Sequence, residues 1–247
     1  GKAKIITCNN LFANTDNLDD FISNVKNLMD NKSVFSFETF YLYLQIKNFI
    51  WDFTYHEHIS YFSVAPLIKF FKKHHMQIID VTTSLSKGGS MMCSVQLNEG
   101  EEKINDSVSK YLELESKFGL DKSEVFLDYS KRIENSKNNF RKNISNLVGK
   151  NKKISAYGAS ATSTTLIYHF GMGSIISRIY DDFTSKQNLF SPGFHIPVEG
   201  SEKIYEDNPD YIIILAWRYA DEIIAKHQKY QKNGGKFIVP LPKFEII

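Results

Sequence analysis

The chain has 247 residues, room for one large or two ordinary domains, and its 42% hydrophobic and 14% aromatic content fills packed cores, which excludes global disorder. A formal charge of +2 excludes a dedicated nucleic-acid binder, although lysines at Lys72-Lys73 and Lys150-Lys152-Lys153 offer local phosphate contacts. No apolar run nears the roughly 18 residues of a membrane span and no basic–apolar leader opens the chain, so a soluble cytoplasmic protein without membrane or nucleic-acid partners is expected.

Residues 4–8 read as a short apolar strand. Residues 16–30 follow with Leu18, Phe21, Ile22, Val25 and Leu28 at helical spacing, capped by Asp16 or Asn17. Residues 33–38 form the next strand, 41–51 are apolar but ambiguous, and 63–75 form a helix with Leu67, Phe70 and Phe71 on one face. Residues 77–84 and 90–97 are strands joined through Lys87-Gly88-Gly89, so this sheet ends in an antiparallel hairpin. Cys8 and Cys93 lie in apolar runs and read as buried free thiols rather than a disulfide or zinc cluster.

Residues 98–150 carry no strand signal and no proline, which predicts a helical linker ending in one long helix with a solvated outer face. Alternation then returns. Residues 154–157 are a strand, Gly158-Ala159-Ser160 a turn and 161–170 a helix. Residues 175–180 are a strand closed by Asp181-Asp182, 211–216 an apolar strand, 219–230 a helix and 237–240 a last strand. The expected fold class is α/β: residues 1–97 form one sheet domain, 98–150 the linker and 151–247 a second parallel, Rossmann-like domain.

The segment from Asp52 to Ser63 concentrates the chemistry, with Tyr55, His56, Glu57, His58 and Tyr61 between a strand and a helix. In an α/β protein that position is the carboxyl edge of the sheet, where ligands bind. His58 is the candidate general base, with Glu57 or a tyrosine orienting it. In an extended chain His56 and His58 would share a face, which leaves a metal pair open, as is a purely structural loop. Farther on, Tyr157-Gly158-Ala159-Ser160 makes a strand-to-helix turn fit for close approach to phosphate. No G-x-G-x-x-G fingerprint supports a nicotinamide or flavin site.

Read in order, several motifs resemble the sugar-nucleotide C-methyltransferases, which act on keto-deoxysugars carried by a nucleoside diphosphate. They are Asn10-Leu11-Phe12-Ala13-Asn14, the run from Tyr55 to Ser63, Gly88-Gly89-Ser90, Tyr157-Gly158-Ala159, Pro192-Gly193, Leu215-Ala216-Trp217 and the run from Gly234 to Pro240. The resemblance implies an S-adenosylmethionine-dependent 3-C-methyltransferase. This chain would supply the second half of a class I methyltransferase sheet plus the C-terminal domain, the rest coming from a missing N-terminal half or a partner polypeptide. It further implies zinc only in an N-terminal domain outside this chain, no metal here, and poor S-adenosylmethionine binding by this chain alone. By the same resemblance His58, Glu57 and Tyr55 are catalytic, and Asn10 and Phe12 face the cofactor. Tyr61, Tyr157, Gly158, Ala159, Ser160, Lys186 and Trp217 then bind the nucleoside-diphosphate sugar.

Departures from the family pattern are Asn14 and Lys87 in place of His, Met92 for Arg, Thr162 for Lys and Arg218 for Asn. They point to a retuned substrate, or to a second reading: a non-catalytic sugar-nucleotide-binding module that kept the fold. A metal-dependent epimerase or isomerase using His56 and His58 is the third.

Overall fold

Alternating apolar residues draw Ile5–Asn9 (β1) and Val34–Phe40 (β2) into a parallel pair, Ile5 opposite Val34, in a computed structural model that describes residues 1–84 and 88–247. Lys87, named above, lies outside the described residues. The connection between these strands is α1 (Leu18–Asn27), whose first turn is capped by the Asn17 side chain accepting from the Asp20 N–H at 3.2 Å. The ambiguous run after β2 resolves into α2 (Leu42–Lys47), followed by α3 (Val64–Lys73). Met76–Ser84 (β3) and Ser90–Leu97 (β4) form the expected antiparallel pair, giving the order β1-β2-β4-β3. Next comes α4 (Asp106–Phe118), ended by Gly119 at φ 84°.

Chain compactness gathers Gly1–Ile50 with His56–Tyr129 into one unit, and Ser130–Ile247 with Trp51–Tyr55 into another. The first unit's core centres on Phe12, fully buried among Phe21, Phe35, Phe37, Phe62, Phe70 and Phe71. Cys8 and Cys93 are buried free thiols. The long helix expected to end the 98–150 linker is α5 (Ser123–Val148).

The second unit contains β5 (Ile154–Tyr157), α6 (Ala161–Phe170), β6 (Ile179–Tyr180), β7 (Leu189–Phe190), β8 (Pro197–Glu199), α7 (Ile204–Asp207) and β9 (Tyr211–Ile214). It ends with α8 (Ala220–Lys226), α9 (Gln228–Lys232), β10 (Lys236–Val239) and β11 (Glu245–Ile246). Its sheet runs β11-β10-β9-β5-β6-β8-β7. The five inner strands are parallel but both edge strands are antiparallel, so the sheet is mixed rather than parallel throughout.

Other expectations change in detail. The strand expected over 175–180 shrinks to Ile179–Tyr180, because Ile175 and Ile176 turn their N–H groups onto the Met172 carbonyl. The helix expected over 219–230 breaks at His227, which leaves helical dihedrals (φ −109°, ψ 31°) as its ring is buried against Tyr205 and Tyr157. The strand expected to 216 stops at Ile214, where Leu215 and Ala216 both donate to the Tyr157 carbonyl. No helix among the described residues is long and apolar enough to cross a membrane.

Candidate functional site

In the first unit the carboxyl ends of β1 and β2 face the motif loop. β1 passes through Asn10, exposed and at φ 55°, into a 3₁₀ turn, Phe12–Asn14. That turn holds the loop directly: the Ala13 carbonyl accepts the N–H groups of Ile59 and Ser60 at 3.0 and 3.1 Å. Residues 55–57 are bent and turned rather than extended, so the shared face expected of His56 and His58 does not form. His56 and Glu57 are exposed, whereas His58 and Tyr61 are half-buried. The His58 ring stands 5.1 Å from the Phe40 ring and 6.3 Å from that of Tyr61. The imidazole thus has an apolar wall and is only partly exposed, with its Nδ1 buried. Phe12, expected toward the cofactor, has its ring sealed in the core.

Glu115 of α4, which no sequence signal singled out, lies beneath this loop at 3% exposure. Its Oε1 accepts the Tyr41 hydroxyl at 2.9 Å and the Val64 N–H at 2.6 Å, and its Oε2 accepts the Ala65 N–H at 3.0 Å. Burial, then the Glu115 charge, push the Tyr41 phenol far above its ordinary range. A groove of about 480 Å³, lined by Ser63, Ala65, Pro66, Lys69, Leu112, Ser116, Leu120 and Asp121, reaches Glu115 from the side.

In the second unit the carboxyl ends of β5, β6 and β9 gather the other candidates. The sheet order reverses between β5 and β9, the kind of switch point where α/β proteins open a crevice. Gly158 turns there at φ 100°, and a Cβ on it would stand 2.8 Å from the Ala216 Cβ. The Ala159 N–H donates to Asp181 at 2.7 Å, and Ser160 caps α6 reciprocally with Ser163. Lys186 reaches the same Asp181 at 3.4 Å. Tyr157 is buried, with its hydroxyl donated to Asp182 at 2.6 Å. Partial burial opposes the charge on Asp182, but hydrogen bonds from Lys226, Ser201 and Tyr157 outweigh it and bring the carboxyl down to about 2.

Trp217 is also buried, its indole N–H donated to the carboxylate of Asp52 at 3.0 Å. Arg218 joins them, 3.1 Å from Asp52 and 4.2 Å above the Phe53 ring. Burial raises the Asp52 pKa against the opposing pull of Arg218. Arg218, expected to depart from the resembled pattern, therefore has a matched partner within this unit. Tyr55 closes the same segment, half-buried with its ring 6.3 Å from Phe53. Asp52 was legible only as an acid inside an aromatic run.

Among the described residues no three or more His, Cys, Asp or Glu side chains gather as a metal site, and nothing in the chain bears on the zinc domain that the resemblance implied. Residues 85–242 match a family described as the C-methyltransferase C-terminal domain. The whole chain also aligns with C-methyltransferase NovU of Streptomyces niveus, at 30% identity over 248 residues. The alignment covers 100% of this chain and 59% of that relative, so the chain spans about three fifths of the length of the curated protein it matches.

Proposed function

We propose a reaction for this chain on one premise: it belongs to the C-methyltransferase family. The reading is C-methylation of a nucleoside-diphosphate-linked keto-deoxysugar, with His58 removing a proton from the carbon beside the carbonyl. The observation that carries it is the half-buried His58 ring, packed on Phe40 at the end of the parallel β1–β2 pair. A neutral imidazole is the natural acceptor near pH 7, and loss of that proton leaves an enolate whose carbon is the nucleophile. Exposed Glu57 and half-buried Tyr61 flank the base on the same loop. The developing enolate oxygen needs a donor, a role the reading gives to a tyrosine of the motif.

The family suggests S-adenosylmethionine as the methyl source. The residues present do not make a seat for it: Asn10 is exposed beyond β1, but the Phe12 ring is locked in the core. The order β1-β2-β4-β3, with its antiparallel hairpin, supports reading this sheet as the second half of a class I methyltransferase sheet. For the second unit the reading is separate: Gly158, Ala159 and Ser160 at the α6 start, with Lys186, form a sugar-nucleotide-holding edge.

His58→Ala should lower methyl transfer to the keto-sugar nucleotide by about 10²- to 10⁴-fold, roughly 3–5 kcal/mol of barrier, with little change in thermal stability. Transfer by this variant at the normal rate rejects His58 as the base, whereas no transfer by the unaltered protein, with thermal stabilisation by the sugar nucleotide, favours the binding-module reading.

A further inference from the structure

We propose that Glu115 is a positioning residue for His58, an inference that rests on reading His58 as the base. Three donors converge on this one carboxylate, and they belong to the two ends of the segment that carries His58. At one end is Tyr41, directly after β2, which bridges to Phe62 and follows Phe40, the ring that walls His58. At the other end are the first two N–H groups of α3, from Val64 and Ala65. The Leu42 N–H donates to the Phe62 carbonyl at 2.9 Å and so cross-links these ends.

Ser63 occupies the N-cap of α3 but makes no side-chain cap bond, although serine is a usual residue for it. Glu115 does that work from another helix and places a negative charge at the positive end of α3. Three N–H and O–H donors suit a group that only accepts, through two oxygens. An amide has one acceptor oxygen and would turn an N–H₂ group toward a donor. One buried carboxylate thus fixes both anchors of the loop, while the Ala13 carbonyl pins its middle. A proton acceptor tolerates little displacement; a shift of about 1 Å can cost on the order of 10²-fold in rate.

The groove beside Glu115 supplies a test that fold loss alone would not mimic. Exchange of the hydrogen beside the carbonyl into deuterated water, followed by NMR on a panel of nucleoside-diphosphate-linked keto-deoxysugars, reads proton removal without any methyl donor. In the full chain, Glu115→Gln should slow exchange by about tenfold or more while KM for the sugar nucleotide stays within about twofold. Glu115→Ala should lose more, and added acetate or formate entering the groove should restore part of the rate. Tyr41→Phe, which removes a single donor, serves if the alanine variant does not fold, and should slow exchange about threefold. Exchange by Glu115→Gln or Tyr41→Phe at the wild-type rate per folded molecule overturns the positioning role. So does a fall that follows only the folded fraction. Exchange by His58→Ala at the wild-type rate, or none by wild type, overturns the base itself. A silent His58→Ala beside a fully active Glu115→Gln overturns Glu115 alone.

Discussion

Glu115 in the first unit and Asp52 in the second are both buried carboxylates, and the two are satisfied in opposite ways. Glu115 in the first unit takes a phenol and two backbone N–H groups. Asp52 in the second takes a guanidinium and an indole, and Arg218 is itself stacked on Phe53. The first arrangement shapes backbone; the second ties two charges together in a dry place. Loss of Glu115 leaves helix donors bare, whereas loss of Asp52 leaves a buried cation.

That contrast is sharpest in stability. Asp52→Ala should cost about 3–5 kcal/mol in urea unfolding, because it strands Arg218, whose side chain is only 15% exposed. Adding Arg218→Met should recover most of the loss, as an apolar replacement of a buried pair is often neutral. A single variant with an unchanged urea midpoint would show that the pair contributes nothing.

A smaller effect tests the strand-end turn of the second unit. Gly158→Ala forces a Cβ to 2.8 Å from the Ala216 Cβ and to 3.1 Å from its N, at a φ side chains avoid. About 1–3 kcal/mol of strain should appear as a lowered Tm. An unaltered Tm would mean that this turn relaxes freely.

The smallest effect is a pH dependence. Burial, and then the Lys226 charge, lower the His227 pKa from its ordinary 6.5. Above 6.5 both folded and unfolded forms are neutral and nothing changes. Below it the unfolded chain takes up a proton that buried His227 resists, so stability falls as pH drops through 6.5 toward the lower folded value. Asp182, held to about 2, stays charged throughout that window. His227→Gln should flatten the Tm-against-pH curve there; an equally steep curve would assign the slope to another group.

Much of this was legible from local pattern. Apolar spacing located α3, α6 and the β3–β4 pair to within a residue or two, and α1 to within three. The motif loop was legible as the place of chemistry because its residue types are unusual together. Partners distant in sequence were not legible. Glu115 lies 74 residues from Tyr41 and 51 from Val64, and Asp52 lies 165 from Trp217. Nothing local distinguishes a buried glutamate on an amphipathic helix from its solvated neighbours. The break at His227 was hidden likewise, since it follows from Tyr157, 70 positions away.

The four-stranded sheet has a finished side and an open one. On β3 the register slips between Ile78 and Asp80, and exposed Thr82, Thr83 and Ser84 line its far end, features that discourage a further strand. At the opposite margin β1 pairs with β2 alone among the described residues, and Ile5 stands 72% exposed. Its outward row of backbone groups is a template with one permitted direction of growth. Any extended segment that settles there lengthens the sheet away from the hairpin, and the lip beneath Asn10 widens with each strand added.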